Sequence, residues 1–354
     1  MSLKFKLFAN CIPVKGYCRS VINDLQRNSY KYVPNSLYYL LKKHDGESLD
    51  EIKIQNPNYE EIIDEYFEFL KLNEFGFFTF EPHNFPELDL IFDLPSKITN
   101  AVISEQIHFQ NYKQICNELN VLNCKAIQLR LFSSISIKKI ETILDAFKNS
   151  RIQYIEIIFQ YQKDIILDDL KKMAFENQRI WVIRIHNSPF KKIEFLDKQK
   201  HHPVFYSTSI ITDHSFCGFI HPKNFVQNIP FFTESLHLNT CLNRKVCIDE
   251  NGFIKNCLSM DKHYGNMNEV DLKEVVQSEE FQKLWHIKKD DIKVCKDCEF
   301  RHMCMDCRAF IKDPNDIYSQ PAKCPYNPYI AKWKGEEGYI TVEEWQKQQK
   351  ESTT

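Results

Sequence analysis

Eight of the thirteen cysteines fall between residues 241 and 324, at Cys241, Cys247, Cys257, Cys295, Cys298, Cys304, Cys307 and Cys324. Their spacing is that of metal ligands. Cys295 and Cys298, then Cys304 and Cys307, form two Cys-x-x-Cys pairs joined by a five-residue link, and such a turn brings two sulfurs to one centre without straining the backbone. Eight thiolates make two four-thiolate sites. Zinc and iron-sulfur clusters both accept four thiolates, and spacing alone leaves both open. Zinc ribbons build each site from two well-separated pairs, whereas adjacent pairs joined by a short link feed two different centres. A disulfide framework fits poorly, because small secreted domains use one and the start, Met1 to Lys6, has neither an apolar stretch nor a small-residue cleavage site. The other cysteines (Cys11, Cys18, Cys116, Cys124 and Cys217) stand singly in apolar contexts, as reduced buried thiols do.

The elements that must carry these ligands are bounded by length and composition. A chain of 354 residues allows two or three domains whose cores need no staples. The formal net charge of -2, from 46 basic and 48 acidic residues, gives no signal for nucleic acid. No apolar run is long enough to span a bilayer, so no membrane partner is expected and the chain reads as cytoplasmic. Glycine is scarce, with eight in all and none between Gly76 and Gly218. Phosphate-cradling loops need glycine where a strand turns into a helix, so no ATP or NAD site is expected in the centre of the chain. No Ser/His/Asp or Cys/His catalytic set stands as a local motif. His108 and His186, each near a predicted strand end, could reach the mouth of a barrel, but fit partly exposed side chains without a role better.

The first 82 or so residues read as a small α+β unit. A strand is expected over Phe5 to Val14 and another over Tyr30 to Val33, followed by helices from Asn35 to Lys43, from the capping box Ser48-x-x-Glu51, and over Tyr59 to Leu72. Gly76 to Phe80 returns as a strand. This order suits a winged helix. From about 97 to 235 strands and helices alternate. Predicted strands are Ala101–Ile103, Ala126–Leu131, Tyr154–Phe159, Trp181–Ile185 and Val204–Ile211, and Lys191-Lys192 with Lys198 to His202 reads as a solvated basic loop. Repeated βα units mean a parallel sheet, and five strands are too few to close an eight-stranded barrel, so an open or partial barrel is expected. In the last region Asp249-Glu250-Asn251-Gly252 turns a hairpin that brings Cys247 near Cys257. A helix is predicted over Asp271 to Ile287, and Thr341-x-x-Glu344 caps a last one.

Taken in order, Cys241, Gly252-x4-Cys257, Cys295-x2-Cys298-x5-Cys304-x2-Cys307 and Cys324 resemble the SPASM domain, the C-terminal extension of radical S-adenosylmethionine peptide-modifying enzymes. The resemblance runs from about 240 to 330. It departs at Met305-Asp306, two residues where the family commonly has three. By that resemblance Cys241, Cys247, Cys257 and Cys307 would hold one [4Fe-4S] cluster, and Cys295, Cys298, Cys304 and Cys324 a second; two Zn2+ ions are the alternative. Cys247 is also compatible with a packed hairpin residue.

Radical enzymes of this type carry Cys-x3-Cys-x2-Cys after the first barrel strand. Here the loop Ser104 to Asn111 has no cysteine, Cys116 and Cys124 cannot replace the triplet, and Phe132-Ser133-Ser134 stands where a glycine pair would hold the cosubstrate. No S-adenosylmethionine is expected. A SPASM domain on such a degenerate barrel resembles the grasp-with-spasm maturation proteins, as do Cys295 to Arg301, Cys307 to Phe310, Val14-Lys15-Gly16 and Asn23 to Arg27. The resemblance implies three segments: a winged-helix-like leader-peptide-recognition domain over 1–85, a degenerate radical-SAM-like partial βα barrel over 86–238, and an iron-sulfur domain with a C-terminal helix over 239–354. It also implies a precursor peptide and an ATP-grasp ligase as partners in maturing a ribosomally synthesised peptide. Whether the chain is itself an enzyme is left open between a binding protein, a catalyst using its auxiliary clusters, and a zinc-stabilised adaptor.

Overall fold

The computed structural model describes residues 2–105 and 111–352; His108 and most of the loop expected to carry the missing cysteine triplet lie outside them. The chain divides into two compact units, one made of 1–92, 219–240 and 287–354, the other of 93–218 and 241–286. The eight clustered cysteines are therefore shared out. Cys241, Cys247 and Cys257 belong with the βα region, and the later five with the N-terminal segment.

In the first unit, β1 (Lys4–Leu7) pairs antiparallel with β5 (Gly76–Thr79). β2 (Cys11–Lys15), β3 (Ser20–Asp24) and β4 (Ser29–Val33) form a separate antiparallel sheet with β3 in the middle. The single strand expected from Phe5 to Val14 is broken because the Cys11 amide turns back to the Phe8 carbonyl. β3 escaped the sequence pattern for a physical reason. All five of its residues are buried, yet Ser20, Asn23 and Asp24 are polar, so no alternation marks it. Asp24 is satisfied there by Arg27 at 2.6 Å and by Asn10 at 2.9 Å.

Helices α1 (Asn35–Lys43), α2 (Leu49–Gln55) and α3 (Glu60–Leu72) follow. The capping box of Ser48 and Glu51 forms as expected. Ile63, Phe67 and Leu70, spaced to share one face of α3, meet Phe5, Ile22, Leu37 and Ile52 in a first core. A second core joins β2 and β3 to the late segments, where Val14, Val21 and Leu25 pack with Phe232, Phe300, Met303, Cys304 and Tyr326. The β2–β3 turn lies against the cysteine loop. The Tyr17 amide donates to the Asp297 carbonyl at 2.8 Å, and Arg301 Nη1 to the Lys15 carbonyl at 2.5 Å.

The second unit is built on an eight-stranded open sheet. Its strands are β6 (Asn100–Glu105), β7 (Ala126–Leu131), β8 (Tyr154–Gln160), β9 (Ile180–His186), β10 (Lys192–Phe195), β11 (Pro203–Tyr206), β12 (Lys245–Ile248) and β13 (Ile254–Lys255), in the order β10-β11-β9-β8-β7-β6-β12-β13. The six from β11 to β12 run parallel, and β10 and β13 close the edges as antiparallel hairpin partners. Helices α4 (Tyr112–Val121), α5 (Ile137–Ala146) and α6 (Leu167–Glu176) connect successive strands and bury one stripe each, such as Ile140, Ile143 and Leu144 of α5. Asn123 (φ 56°) and Asn187 (φ 53°) take the left-handed conformation that glycine otherwise supplies, which is how the region turns without any glycine.

Two expectations are corrected here. The basic stretch after Lys191 is not all loop, since Lys192–Phe195 forms β10, whose lysine protects an exposed edge. The helix expected over Asp271 to Ile287 breaks at Ser278, whose hydroxyl caps a new turn by accepting from the Phe281 amide.

Candidate metal centres

In the first unit Cys295, Cys298, Cys304 and Cys324 line one cavity, walled by Phe300, Tyr326 and Trp333. These are the four sulfurs the sequence groups as its second site. Cys295 and Cys298 sit on a single 3-10 turn, in which the Cys298 amide donates to the Cys295 carbonyl at 3.0 Å. Val294, just before it, is β-branched and held at φ 70°, a strained conformation of the kind that clusters at functional sites. Burial raises all four thiols: Cys295 and Cys304 to about 11, Cys298 and Cys324 above their ordinary value. They are protonated at neutral pH until a metal group displaces the protons.

The same cavity holds a cation. Lys289 is 4 % exposed, with its ammonium 3.5 Å from Cys304 Sγ, 3.9 Å from Cys295 Sγ and 3.7 Å from Asp306. Burial lowers its pKa, but interaction with Cys295, Cys304 and Asp306 carries it well above the ordinary lysine value. Asp306 is not free to neutralise it. Arg308 takes one Asp306 oxygen at 2.8 Å and Asn239 the other at 2.7 Å. Two buried cations thus share one carboxylate, and a site of that balance accepts the negative charge of a thiolate-bound metal group. The donor set fits an iron-sulfur cluster. Among the described residues no three His, Cys, Asp or Glu side chains close around a single metal-ion position. Four thiolates lining one cavity also suit a zinc ion.

The two-residue link between Cys304 and Cys307 has a structural reason. Met305 points outward at 47 % exposure, while Asp306 is fully buried on Lys289 and Arg308. Cys307 itself is buried at 6 % exposure in this unit.

In the second unit the hairpin forms as the sequence predicts. Asp249 accepts the amides of Asn251 and Phe253 at 3.0 and 2.9 Å, and Gly252 takes φ 83°. Cys247 lies on β12 beside Val102 of β6 and packs with Leu258, and Cys257 follows β13. Lys245 gathers the three cysteines of this unit. Its ammonium is 3.3 Å from Cys241 Sγ, and its pKa is raised by Cys241, then Cys247 and Cys257, against the opposing effect of burial. Burial pushes the Cys247 thiol up to about 12, opposed first by Lys245. Each unit therefore sets a lysine ammonium against its clustered sulfurs.

Residues 240–299 match the SPASM iron-sulfur cluster-binding domain. The matched span takes in Cys241, Cys247, Cys257, Cys295 and Cys298, and Cys304, Cys307 and Cys324 lie beyond its end. No curated protein matches the chain. Among solved structures the chain is similar to Streptococcus suis SuiB bound to precursor peptide SuiA, at 11% identity and TM-score 0.29, over 90% of this chain and 98% of that one. It is also similar to SuiB bound to S-adenosylmethionine, at 12% identity and TM-score 0.28, over 87% of this chain and 94% of that one. At those scores the likeness fixes neither fold nor chemistry.

Lys289, Lys245, Asp306 and Arg308 were not legible as site residues. Lysines and acids between cysteines read as solvated loop in a sequence, and only the fold shows them buried. The position of a lysine six residues before Cys295 carries no signal by itself.

Proposed function

We propose that this chain is an iron-sulfur protein of the grasp-with-spasm type, serving the maturation of a ribosomally synthesised, post-translationally modified peptide in the cytoplasm. Cys241, Cys247, Cys257 and Cys307 would hold one [4Fe-4S] cluster, and Cys295, Cys298, Cys304 and Cys324 the other. When bound, such clusters supply one-electron transfer, and an open iron position where a ligand is missing. The protein's own contribution is a dry cavity, a fixed set of sulfurs and a buried ammonium that offsets their charge. The observation that carries this reading is the set of four cysteines on one cavity with Lys289 against two of them.

Around the clusters the reading assigns residues 1–85 as a winged-helix-like leader-recognition domain, 86–238 as a degenerate partial barrel that binds no S-adenosylmethionine, and 239–354 as the cluster domain. β4 is the edge that suits an incoming leader strand. It carries no proline, whereas the opposite edge β2 contains Pro13, and three of its five residues are exposed. Main-chain hydrogen bonds to such an edge give affinity and alternate side chains give register. An ATP-grasp ligase would then act on the bound precursor.

Iron, sulfide and zinc content of protein purified without oxygen tests the cluster reading. About eight irons and eight sulfides per chain, with a broad absorption that bleaches on reduction, support it. About two zincs and a colourless solution would replace it with a structural adaptor. For the partner, Tyr32→Pro on β4, whose amide faces the free edge by the β3–β4 register, should abolish precursor-leader binding by the full chain while leaving iron content unchanged, and unaltered binding would move the leader elsewhere.

A further inference from the structure

The residues at the C-terminal ends of the parallel strands include a buried cation that no carboxylate pairs among the described residues, although its charge also bears on Cys247. Arg130, in β7, is 9 % exposed and has no carboxylate within 4.0 Å of its guanidinium among the described residues. Its Nε donates to Gln128 Oε1 at 2.6 Å, its Nη1 meets His214 Nδ1 at 3.5 Å, and the guanidinium lies 4.8 Å from the Phe216 ring. The nearby Glu156 is already engaged, one oxygen by Arg184 at 2.5 Å and the other by Gln128 at 2.6 Å. Residues 106–110, which follow β6, contain no acidic side chain. A buried cation without a counter-charge is costly, and such groups are retained where a ligand completes them.

Three further donors lie at or near the same strand ends, each lacking an acceptor. Arg130 can only donate, so His214 Nδ1 accepts and its proton sits on Nε2. That Nε2 has no hydrogen-bond partner, with Glu250 as its nearest carboxylate at 3.9 Å. His186 is 2 % exposed and neither ring nitrogen has a partner, although one of them must carry a proton. Ser104, in register beside Arg130 on the adjacent strand, is fully buried with its hydroxyl unpaired. The Phe132 ring links the group, with its centroid 5.9 Å from His186, 5.0 Å from His214 and 5.9 Å from Phe216.

We propose that Arg130, His186, His214 and Ser104 form a carboxylate-binding site at the C-terminal ends of β6, β7 and β9. Open α/β sheets bind ligands at that end of their strands. One guanidinium amid neutral donors balances one negative charge, which selects a carboxylate over a phosphate dianion. The planar fork of arginine suits two carboxylate oxygens, and Phe132 and Phe216 give an apolar wall for the carbon chain that bears them. The site goes beyond the cluster reading, and the identity of its ligand rests on the proposed role in handling a peptide. In a protein that handles a peptide, the carboxylate belongs to an acidic side chain or to a chain terminus.

The test is binding to the full chain by ligand-observed NMR, with four probes: N-acetylglutamate N-methylamide, N-acetylglycine, N-acetylglutamine N-methylamide and inorganic phosphate. At least one carboxylate probe should bind ten or more times as tightly as the neutral glutamine probe and as phosphate. Preference for the glutamate probe assigns an acidic side chain, and preference for N-acetylglycine a terminus. Arg130→Met should lose that binding tenfold or more, and in selectively labelled protein the His186 and His214 ring signals should move with the probe. His214→Gln, which keeps the site's volume, should weaken binding as well and serves if Arg130→Met does not fold. Equal binding of the glutamate and glutamine probes, tighter binding of phosphate, or undiminished binding in a folded variant overturns the site.

Discussion

The Lys289 ammonium lies 3.5 Å from the Cys304 sulfur inside a cavity that four cysteines share. Both partners are buried, so their interaction is little screened by water or salt. An ammonium at that distance stabilises negative charge on the sulfur, and therefore favours the more reduced, more negative state of any cluster the sulfur ligates.

From this follows the effect of Lys289→Met, which keeps the stem and removes the charge. Asp306 retains Arg308 at 2.8 Å, so the substitution leaves no unpaired acid. The midpoint potential of a cluster bound as proposed at Cys295, Cys298, Cys304 and Cys324 should fall by roughly 60 mV, which is about a tenfold change for a one-electron couple. A redox titration followed by electron paramagnetic resonance reads this directly, and an unchanged potential would leave Lys289 as packing only.

Cys298→Ala removes one of four sulfurs from the same cavity. Iron per chain should drop by about half, since each site takes its own share, and metal binding stabilises folding only locally. The first core around Ile63, Phe67 and Leu70 contains none of the cavity's sulfurs, so far-ultraviolet circular dichroism should change little. Full iron content in the variant would remove Cys298 from the ligand set.

The clustering of the cysteines was readable in the sequence because their spacing is a local signal, and the hairpin between Cys247 and Cys257 was readable because Asn251-Gly252 is one. The βα alternation gave the parallel strands from periodicity. What escaped was set by tertiary context. β3 is buried while rich in polar residues, β10 is a charged edge, and Ser278 divides a helix whose apolar periodicity continues across the break. Lys245 and Lys289 gained meaning only when the fold set them against sulfur. His186 was noted as a residue near a strand end, but the unpaired Arg130 that gives it a role could not be recognised without the burial of both.

Gly16 is a position where the fold needs the absence of a side chain. A Cβ there would stand 2.6 Å from the Arg19 carbonyl oxygen and 2.8 Å from the Glu299 amide nitrogen, both backbone atoms that cannot swing aside. Glu299 follows Cys298 and is 1 % exposed, held by Arg19 at 2.8 Å and by the Tyr326 hydroxyl at 2.5 Å. Gly16→Ala should therefore push on the cysteine loop as well as on the β2–β3 turn. The expected cost is about 1–3 kcal/mol, that of overpacking a tight contact, seen as a lower urea midpoint together with slower iron uptake at the second site. A change in midpoint without any change in uptake would confine the contact to stability.

His214 gives the chain an acid sensitivity whose sign is fixed by burial. Its pKa is lowered from 6.5 to about 4, first by burial and then by Arg130, while Glu250 and Asp213 oppose and Lys255 adds slightly to the shift. Between those two values the unfolded chain holds a proton that the folded chain refuses. Stability from this group is therefore complete above the unfolded value and is lost as pH falls toward 4. With the side chain 12% exposed, the loss amounts to about 3 kcal/mol at most. His186 is shifted in the same direction by burial and adds to the trend. Glutamine at 214 can hydrogen-bond to Arg130 but takes up no proton. In His214→Gln the fall in the urea midpoint between pH 7 and pH 4.5 should shrink by the equivalent of about 2 kcal/mol. A fall as steep as in the unmodified chain would mean that His214 already carries its proton in the fold, and that Arg130 does not donate to it.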